Sequence, residues 1–488
     1  MSKMKRLQTV FSALAVAAMA LTSCSDNNSD KPDGGDTQEP IIFNGNEIGD
    51  GSQEFDLTGK HTLPRGTYIL KGWVYITDGA ELTLEPGTVI KGDKDTQAAL
   101  IVEPGGKLWA EGTAQAPIVF TSAQPAGSRR PGDWGGLIVC GRARNNQGSM
   151  AIEGGPRTIH GGNNDNDCSG ALRYVRVEFA GYPFAPDQEI NGITFGSVGR
   201  GTRVDHLQVS YSNDDSYEWF GGTVNARYLI AYHGWDDDFD TDNGFSGHVQ
   251  FCYGLRAPRI ADQSVSNGFE SDNCSDAATK EPYTSCVFSN VTFVGPRVDP
   301  AFVNTGEYIT AGDMNPGNGS RLGQFQAAMQ VRRNSHLSCF NSLAIGYPVG
   351  IIIENDKGAA TQQAATDGIL RLNHIFLADM GITGSDKNKS FADALSTNGT
   401  DLDTSRESFS ASWFRSGRGN RIFDSATDLM LNSSYMPLGG SPLLGAASFD
   451  DAMLADGFEH VSYIGAFSGP ADDWMSGWSN FDPQNTPY

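Results

Sequence analysis

Short runs of alternating apolar and polar residues recur along most of the chain and predict β-strands. The run Leu82–Gly87 returns eighteen residues later as Leu100–Gly105, and in both the apolar stretch ends in Glu-Pro-Gly. A strand, a Pro-Gly turn and a return after about twenty residues are typical of one coil of a solenoid. The pattern therefore predicts strands that stack coil upon coil.

Three further segments carry apolar residues at their first, fourth and sixth positions: 172–177, 204–209 and 288–293. Propeller blades need about 40 to 50 residues per repeat, which is twice the interval seen here. We therefore predict an all-β protein, a right-handed parallel β-helix, rather than a propeller or an antiparallel sandwich. The predicted divisions are a β-helix over residues 53–384, then an irregular insertion, the final coils and a C-terminal cap over residues 385–488. The aromatic segment 472–481 is expected to pack over the last coil.

The sharpest repeat is acidic. Asp214–Gly222 aligns with Asp236–Gly244 at a shift of twenty-two residues, and Ser266–Asn273 repeats the pattern thirty residues later. Equivalent residues of a parallel stack lie about 4.8 Å apart. The repeat thus predicts three stacks: an interior aromatic stack of Tyr217, Phe239 and Phe269; an outward carboxylate column of Glu218, Asp240 and Glu270; and a polar turn ladder of Asp215, Asp237 and Asn267.

The N-terminus has the pattern of an export signal over residues 1–23: a basic start, a short apolar run and small residues before Cys24. Leu21–Cys24 resembles the lipobox of bacterial lipoproteins, which implies a lipid on Cys24. Residues 25–30 resemble the acidic tag that sends Bacteroidota lipoproteins to the outer cell surface. Residues 24–52 are expected to form a flexible tether. The predicted location is the outer membrane, with the chain lipid-anchored to it and exposed at the cell surface.

The charge narrows the choice of partners. Removing residues 1–23 takes away three basic and no acidic residues, so the net charge moves from −23 to −26. Such a surface repels phosphate backbones, which argues against nucleic acid and favours neutral glycans or cations. Nucleotide-binding and nucleophile motifs are absent from the sequence. Among the cysteines, Cys274 and Cys286 would close one polar loop and are expected to form a disulfide.

Residues spread over most of 65–480 resemble an uncharacterised family of Bacteroidota β-helix surface lipoproteins. The resemblance implies fold and location, and by architecture it extends to pectate-lyase-like and polygalacturonase-like β-helices. The polygalacturonase order of motifs is not reproduced, because His233-Gly234 precedes Asp236-Asp237. The segments that carry the resemblance are 82–92, 132–138, 152–155, 172–181, 214–222, 236–244 and 463–467.

Stacked carboxylates repel one another, so the acidic repeat needs cations, raised pKa values or solvent. In one interpretation it binds Ca²⁺, which takes six to eight oxygen ligands. In a second, two of Glu218, Asp240 and Glu270 hydrolyse a glycosidic bond, or a basic residue such as Arg227, Arg256 or Arg259 serves a lyase. In a third, the acidic residues only fill turns. The candidate metal ligands are Glu218, Asp240, Asp242, Glu270 and Asp272.

Aromatic residues beside carboxylates often hold sugar rings, and four are candidates for ligand binding: Trp219, Tyr232, His233 and Trp235. The alternative is that they are core residues. The sequence thus favours a cell-surface lipoprotein that binds an extracellular glycan with Ca²⁺, as an accessory to nutrient uptake beside a TonB-dependent outer-membrane receptor. The alternatives are a β-helix glycoside hydrolase or polysaccharide lyase, and a structural or adhesive surface protein.

Overall fold

The computed structural model describes residues 41–185, 188–398 and 401–488. Its strands pair almost entirely in parallel and form two large sheets, so the predicted right-handed parallel β-helix is confirmed. One sheet has eleven strands, each paired with its equivalent in the next coil. These strands are Phe55–Leu57, Trp73–Ile76, Ala99–Val102, Gly136–Cys140, Ile193–Gly196, Tyr217–Phe220, Phe239–Asp242, Phe269–Ser271, Ala327–Val331, Val349–Ile353 and Ile382–Ser385.

The other sheet has eighteen strands and forms the remaining walls of the coils. Its strands are Ile42–Phe43, Glu47–Ile48, Lys60–Leu63, Thr67–Leu70, Glu81–Leu84, Val89–Gly92, Lys107–Glu111, Ile118–Ser122, Gly170–Glu178, Arg203–Ser210, Ala226–Tyr232, His248–Leu255, Val287–Val294, Ser338–Phe340, Leu343–Ile345, Leu372–Asn373, Phe376–Ala378 and Arg421–Phe423. Glu47–Ile48 pairs with Thr67–Leu70, so strand pairing begins inside the range predicted as tether. The signal segment and Cys24 lie outside the described residues.

The longer strands of the eighteen-strand sheet turn a corner without breaking. At the corner of successive coils, Tyr174, His206, Tyr228 and Phe251 adopt positive φ values between 48° and 62°. Bulky residues rarely adopt this left-handed conformation, and here their rings stack on each other. The ring centroids lie 4.3, 4.4 and 5.0 Å apart along the stack. Stacking therefore helps offset the backbone cost of the corner.

Alternation along the eleven-strand sheet directs every second side chain into the core. Tyr217 pairs in register with Phe239, and Phe239 with Phe269. The rings of Tyr217 and Phe239 stack with centroids 5.4 Å apart, and Phe269 lies 6.0 Å from Phe239. The predicted interior aromatic stack is therefore confirmed.

Two short helices lie near the C-terminal end of the solenoid: α1 (Thr361–Thr366) and α2 (Phe409–Ser416). In α2, Phe414 is buried in the main core, and the Ser410 hydroxyl accepts a hydrogen bond from the amide of Ile353, 2.9 Å away. Helix α2 thus covers the last coils. Five short 3₁₀ helices complete the helical elements of the described residues: Pro296–Val298, Gly312–Met314, Asp356–Gly358, Ala426–Leu429 and Ala452–Leu454.

The described residues contain four antiparallel hairpins. One is Ile42–Phe43 with Glu47–Ile48 at the edge of the eighteen-strand sheet, and the other three are separate two-stranded sheets: Met150–Ala151 with Ile159–His160, Pro183–Ala185 with Gln188–Glu189, and Leu395–Ser396 with Leu402–Asp403. No helix of the described residues is long and apolar enough to cross a membrane.

Residues 472–481 do not pack over the last coil, and that expectation is wrong. The C-terminal segment, residues 424–488, begins against the last coil, where Leu429 and Leu443 pack in one apolar cluster with Phe376. The segment runs back along the outside of the eighteen-strand sheet toward early coils. Trp474 and Trp478 lie against the corner ring of His206, with ring centroids 6.4 and 5.8 Å away. The physical reason is that the outward corner rings of Tyr174, His206, Tyr228 and Phe251 offer an apolar surface on the middle coils, whereas α2 packs against the last coils.

Candidate metal and ligand site

The carboxylate column, formed by Glu218, Asp240 and Glu270, lies on the outer face of the eleven-strand sheet. Glu218 pairs in register with Asp240, and Asp240 with Glu270. The column faces away from the aromatic stack because its members are one position on from Tyr217, Phe239 and Phe269. The predicted column is therefore confirmed. Loops cover it closely, so that Glu218 is only 7% exposed.

The turn ladder of Asp215, Asp237 and Asn267 is also confirmed. The Asp215 carboxylate accepts a hydrogen bond from the amide of Asp237 at 2.8 Å. Asp237 accepts one in the same way from the amide of Asn267. Asn267 continues the ladder through its side-chain oxygen, 3.0 Å from the amide of Ala327. Each side chain thus satisfies a backbone donor at the corner of the next coil.

Column and ladder come together in three groups of carboxylates whose ligand atoms lie within 4.8 Å of one another. Asp215 belongs to the first two groups and Asp240 to the last two. Asp242 and Asp272 fall outside these groups, although both were candidate ligands. Among the described residues, the groups are Asp214 with Asp215 and Asp236; Asp215 with Glu218 and Asp240; and Asp237 with Asp240 and Glu270.

The electrostatic cost of this arrangement is large. Burial raises the pKa of Asp240 well above its ordinary range, and the neighbouring carboxylates of Glu270 and Asp237 raise it further. Burial likewise raises the pKa of Asp236. Like charges in a desolvated site oppose ionisation, so it is unfavourable for all of these carboxylates to ionise together without a cation. The pKa is raised in the same direction for Asp214, Asp215, Glu218, Asp237 and Asp242.

Two arginine side chains lie at the Glu270 end of the column. Arg332 forms an ion pair with Glu270 and places its Nε 2.9 Å from Asp272. Arg333 Nη1 lies 2.6 Å from the other oxygen of Asp272. Burial raises the pKa of Glu270, and Arg332 opposes that rise. The third carboxylate group is thus partly neutralised, whereas within the described residues no arginine forms an ion pair with the first two groups.

Several buried oxygens at the first two carboxylate groups lack a hydrogen-bond partner in the described structure. They include one carboxylate oxygen each of Asp236 and Asp240, and the side-chain oxygens of Asn191 and Asn213. The Asn191 amide donates to Glu218, and the Asn213 amide donates to the Ser320 hydroxyl at 2.7 Å. A buried acceptor without a donor is costly, so these oxygens are suited to a cation. The donor set, which is all oxygen, is the one that Ca²⁺ prefers.

The first carboxylate group opens into a cleft of about 690 Å³, which we call the acidic cleft. This volume lies within the range of about 300 to 1,000 Å³ that is usual for ligand pockets. Loops from three insertions form its walls. The lining residues are Pro183, Phe184, Glu189, Asn213, Asp214, Asp236, Asp262, Gln263, Ser264, Asn318, Gly319, Ser320, Arg321 and Lys389.

Three of the four aromatic candidates, Trp219, Tyr232 and Trp235, are buried, which contradicts their assignment to ligand binding. His233 is half-buried, and none of the four lines the acidic cleft. Trp219 points into the core and stacks on Phe195, with ring centroids 5.6 Å apart. Trp235 is buried under the insertion that forms a cleft wall. Tyr232 and His233 lie at the eighteen-strand sheet, where the Tyr232 hydroxyl donates to the carbonyl of Phe481. Burial lowers the pKa of His233 to about 3.

The predicted disulfide is also wrong, because Cys274 and Cys286 carry free thiols. Cys286 belongs to the main core, whereas the Cys274 thiol donates to the carboxylate of Asp276, 2.9 Å away. The two side chains therefore lie in different environments. Burial raises the pKa of Cys274 to about 11 and that of Cys286 to about 12, so both remain thiols.

None of the three arginines considered for a lyase lines the acidic cleft. Arg227 donates to the carbonyl of Gly457 in the C-terminal segment. Arg256 is fully buried, with its Nη1 2.8 Å from Asp238. Arg259 donates to the carbonyl of Tyr308. The basic residues that do line the cleft are Arg321 and Lys389.

Five residues near the site were not predicted from the sequence: Asn191, Asn213, Arg332, and the two basic residues of the cleft, Arg321 and Lys389. Of these residues, Arg332 could have been predicted from the repeat. Gln330 pairs in register with Glu270, so Arg332, two positions on, lies beside Asp272 on the outer face. Arg321 and Lys389 come from insertions, and solenoid periodicity gives no signal for them.

Comparison with known families identifies the chain. A family profile described as a pectate-lyase like beta helix domain matches residues 56–416. This is most of the chain, and the protein belongs to that family. Among solved structures, the crystal structure of pectate lyase Pel9A is similar, with 12% identity and a TM-score of 0.41, over 81% of this chain and 89% of that one. Comparison with curated proteins finds no match.

Proposed function

We propose that the protein binds an extracellular polysaccharide in the acidic cleft with the help of Ca²⁺. The observation that carries the proposal is the pair of carboxylate groups that share Asp215 and contain buried oxygens without a donor. Ca²⁺ accepts flexible, oxygen-rich coordination from adjacent elements. Its charge would allow the carboxylates to ionise together, which burial and mutual repulsion otherwise oppose.

A polysaccharide is the ligand class that the family name and the cleft favour together. The chain belongs to a pectate-lyase-like family, and the cleft walls present amides and hydroxyls from Asn213, Ser264 and Ser320. Such groups hydrogen-bond to sugar hydroxyls. An ion in the first carboxylate group would lie at the base of the cleft, where it could contact sugar oxygens directly.

The test is calcium titration by calorimetry on the purified mature protein, with bound metal measured in parallel. Asp236→Asn together with Asp240→Asn should abolish Ca²⁺ binding, because each change removes a charge from a different group. Asp95→Asn, which changes an exposed carboxylate outside the cleft, is the matched control and should bind as the wild type does. Unchanged Ca²⁺ binding in the double variant would rule out this site.

A second candidate function is a polysaccharide lyase, and a specific observation favours it over a hydrolase. Lys389 and Arg321 line the same cleft as Asp214 and Asp236. A lyase needs a base to remove a proton from a uronate ring, and a cation stabilises the negative charge of the uronate carboxylate. In this proposal Lys389 would be the base. The acid–base pair of a hydrolase from Glu218, Asp240 and Glu270 is less suited, since Arg332 holds Glu270.

Product analysis separates these functions. A lyase releases 4,5-unsaturated ends that absorb ultraviolet light, and Lys389→Met should abolish their formation while Ca²⁺ binding persists. A hydrolase releases saturated reducing ends, which remain in Lys389→Met and disappear in Asp240→Asn. A binding protein releases neither product from any polysaccharide that it retains.

We also propose that Cys24 carries a lipid that anchors the protein to the outer membrane, with the β-helix at the cell surface beside a TonB-dependent receptor. The lipobox-like residues 21–24 support this proposal. Mass spectrometry of the membrane-extracted protein should find a diacylglyceryl group on Cys24. Cys24→Ser should release the protein from membranes, and protease added to intact cells should digest the wild type. Resistance of the wild type would place it on the inner side.

A further inference from the structure

We propose that Phe184 is the stacking platform for a pyranose ring in the acidic cleft. The inference rests on the proposed function and deepens it, because it names the residue of the cleft that contacts the sugar ring. Phe184 lies on the hairpin strand Pro183–Ala185 and lines the cleft together with Asp214 and Asp236. Its side chain is 43% exposed.

The ring of Phe184 is held by the residues beneath it. Its centroid lies 5.4 Å from that of Trp73, with the ring planes tilted by 52°. Trp73 is itself fixed, because its indole Nε1 donates to the carbonyl of Gln97 at 2.9 Å. On another side Gly155 approaches so closely that a Cβ there would be 2.7 Å from Phe184 Cδ1. A large side chain that is supported in this way keeps its exposed surface without losing much rotamer freedom on binding.

The surroundings distinguish this ring from an ordinary exposed aromatic residue. Single exposed hydrophobic side chains are common and need no explanation. Phe184, however, shares the cleft with Asn213, which is 2% exposed and whose side-chain oxygen has no partner. Ser264 also lies there, with its hydroxyl donating to Asp236 and Asp262. The cleft thus offers one apolar surface and several hydrogen-bonding groups.

A pyranose ring matches this combination. Its axial C–H groups form an apolar face, and its hydroxyls project from the edge, so one ring can stack and hydrogen-bond at once. An apolar peptide side chain would leave the amides and hydroxyls of the cleft unsatisfied, which is costly. A simple anion would gain nothing from the aromatic face and would meet the carboxylates of Asp214 and Asp236. The geometry therefore points to an oligosaccharide of pyranose units.

The experiment compares Phe184→Ala, Phe184→Trp and the wild type on an array of soluble glucans, galactans, xylans and polyuronates, with Ca²⁺ binding measured separately by calorimetry. Phe184→Ala should weaken binding to the retained polysaccharide roughly tenfold or more, as expected for loss of an aromatic anchor. Phe184→Trp should restore it, and Ca²⁺ affinity should stay within roughly twofold in both variants. Phe481→Ala is the matched control, because Phe481 is 39% exposed and lies outside the cleft lining.

The outcomes separate the two proposals. Wild-type levels of polysaccharide binding in Phe184→Ala would overturn the platform and leave the proposed function in place. Equal loss in Phe184→Ala and Phe481→Ala, or a parallel loss of Ca²⁺ binding, would show a general structural effect and would also overturn it. Failure of the wild type to retain any polysaccharide while binding Ca²⁺ would contradict the proposed function itself.

Discussion

At the scale of single residues, the site is a balance between carboxylates and the few positive charges near them. Arg332 acts as a built-in cation for Glu270 and Asp272, and its side chain is almost buried. Removing one partner of a buried ion pair costs about 3 to 5 kcal/mol, because the other charge remains without compensation. The lower part of the column therefore depends on this arginine.

Arg332→Gln should accordingly lower the free energy of unfolding by about 3 to 5 kcal/mol in the absence of metal. Ca²⁺ should recover more stability in this variant than in the wild type, since the group of Asp237, Asp240 and Glu270 becomes free to bind an ion. Urea denaturation with and without Ca²⁺ measures both effects. Arg415→Gln is the control, because its ion pair with Glu407 is exposed and such pairs contribute about 1 kcal/mol or less. Equal losses in the two variants would contradict the prediction.

The raised pKa values of the carboxylate groups predict an unusual dependence of stability on pH. Asp236 and Asp240 have pKa values above the ordinary 3.8 in the folded protein. The folded state therefore binds more protons than the unfolded state above that value, and stability falls as the pH rises through the folded pKa.

In chelator, lowering the pH from about 7 to about 5 should therefore change the melting temperature more favourably in the wild type than in Asp240→Asn, which lacks one of the titrating carboxylates. Buried histidines such as His233, whose pKa is lowered by burial, act in the opposite direction and do so equally in both proteins. Saturating Ca²⁺ should flatten the dependence in the wild type, since the ion replaces the protons. A melting temperature that falls by the same amount with acid in both proteins would contradict this assignment of pKa shifts.

At the scale of the structural element, the turn ladder shows which property of a side chain each coil requires. Asp237 supplies an acceptor to the amide of Asn267, and Asn267 does the same for Ala327 with a neutral amide oxygen. The ladder thus needs an oxygen at this position and no charge. The negative charge of Asp237 is therefore not required by the ladder.

Asp237→Asn should therefore stabilise the metal-free protein, because it keeps the hydrogen bond and removes a repelling charge. Asp237→Ala should destabilise it by about 1 to 3 kcal/mol, since the buried amide of Asn267 loses its acceptor. Ca²⁺ binding should persist in Asp237→Asn, because the proposed ion is held by the first two carboxylate groups, to which Asp237 does not belong. Thermal melts in chelator and calcium titrations would test both variants. An equal loss of stability in Asp237→Asn and Asp237→Ala would show that the negative charge of Asp237 itself stabilises the fold.

The regularity of the strands also determines which site residues could be predicted from the sequence. Strand alternation and a regular repeat give the register of Glu218, Asp240 and Glu270, because every coil presents the same position to the same face. The same alternation places Trp219 inside, two positions on from Tyr217, so its burial was readable. Tyr232 was not, since the left-handed corner residue Tyr228 shifts the alternation within its strand. Residues from insertions, such as Lys389 and Phe184, follow no repeat.

At the scale of the whole molecule, the C-terminal segment connects coils that are otherwise far apart. An ideal solenoid has contacts only between neighbouring repeats and can unfold from its ends. Here Gly465 donates to the carbonyl of Asn341, and the Gln208 amide donates to the carbonyl of Asn480 at 2.7 Å. Farther along, Arg129 Nη1 donates to the carbonyl of Thr486 at 2.9 Å. The segment thus runs along the stack from late coils to early ones.

Deleting residues 474–488 should reduce this long-range cooperativity. The buried charges of Arg129, Arg176 and Glu178 would lose their covering residues, and the corner ring of His206 would lose Trp474 and Trp478. We expect the full chain to unfold in one urea transition and the truncated chain to show an earlier transition with a smaller slope, since less surface is exposed in each step.

Hydrogen exchange would locate that first step. Residues 81–178 should lose protection in the truncated chain, whereas the coils around Ala327–Val331 should keep theirs. Tyr232→Phe is the control, because it removes only the hydrogen bond to Phe481 and should cost about 1 kcal/mol without changing the number of transitions. If the truncated chain still unfolds in a single transition with the wild-type slope, the coils are cooperative through their own stacking, and the segment only covers them.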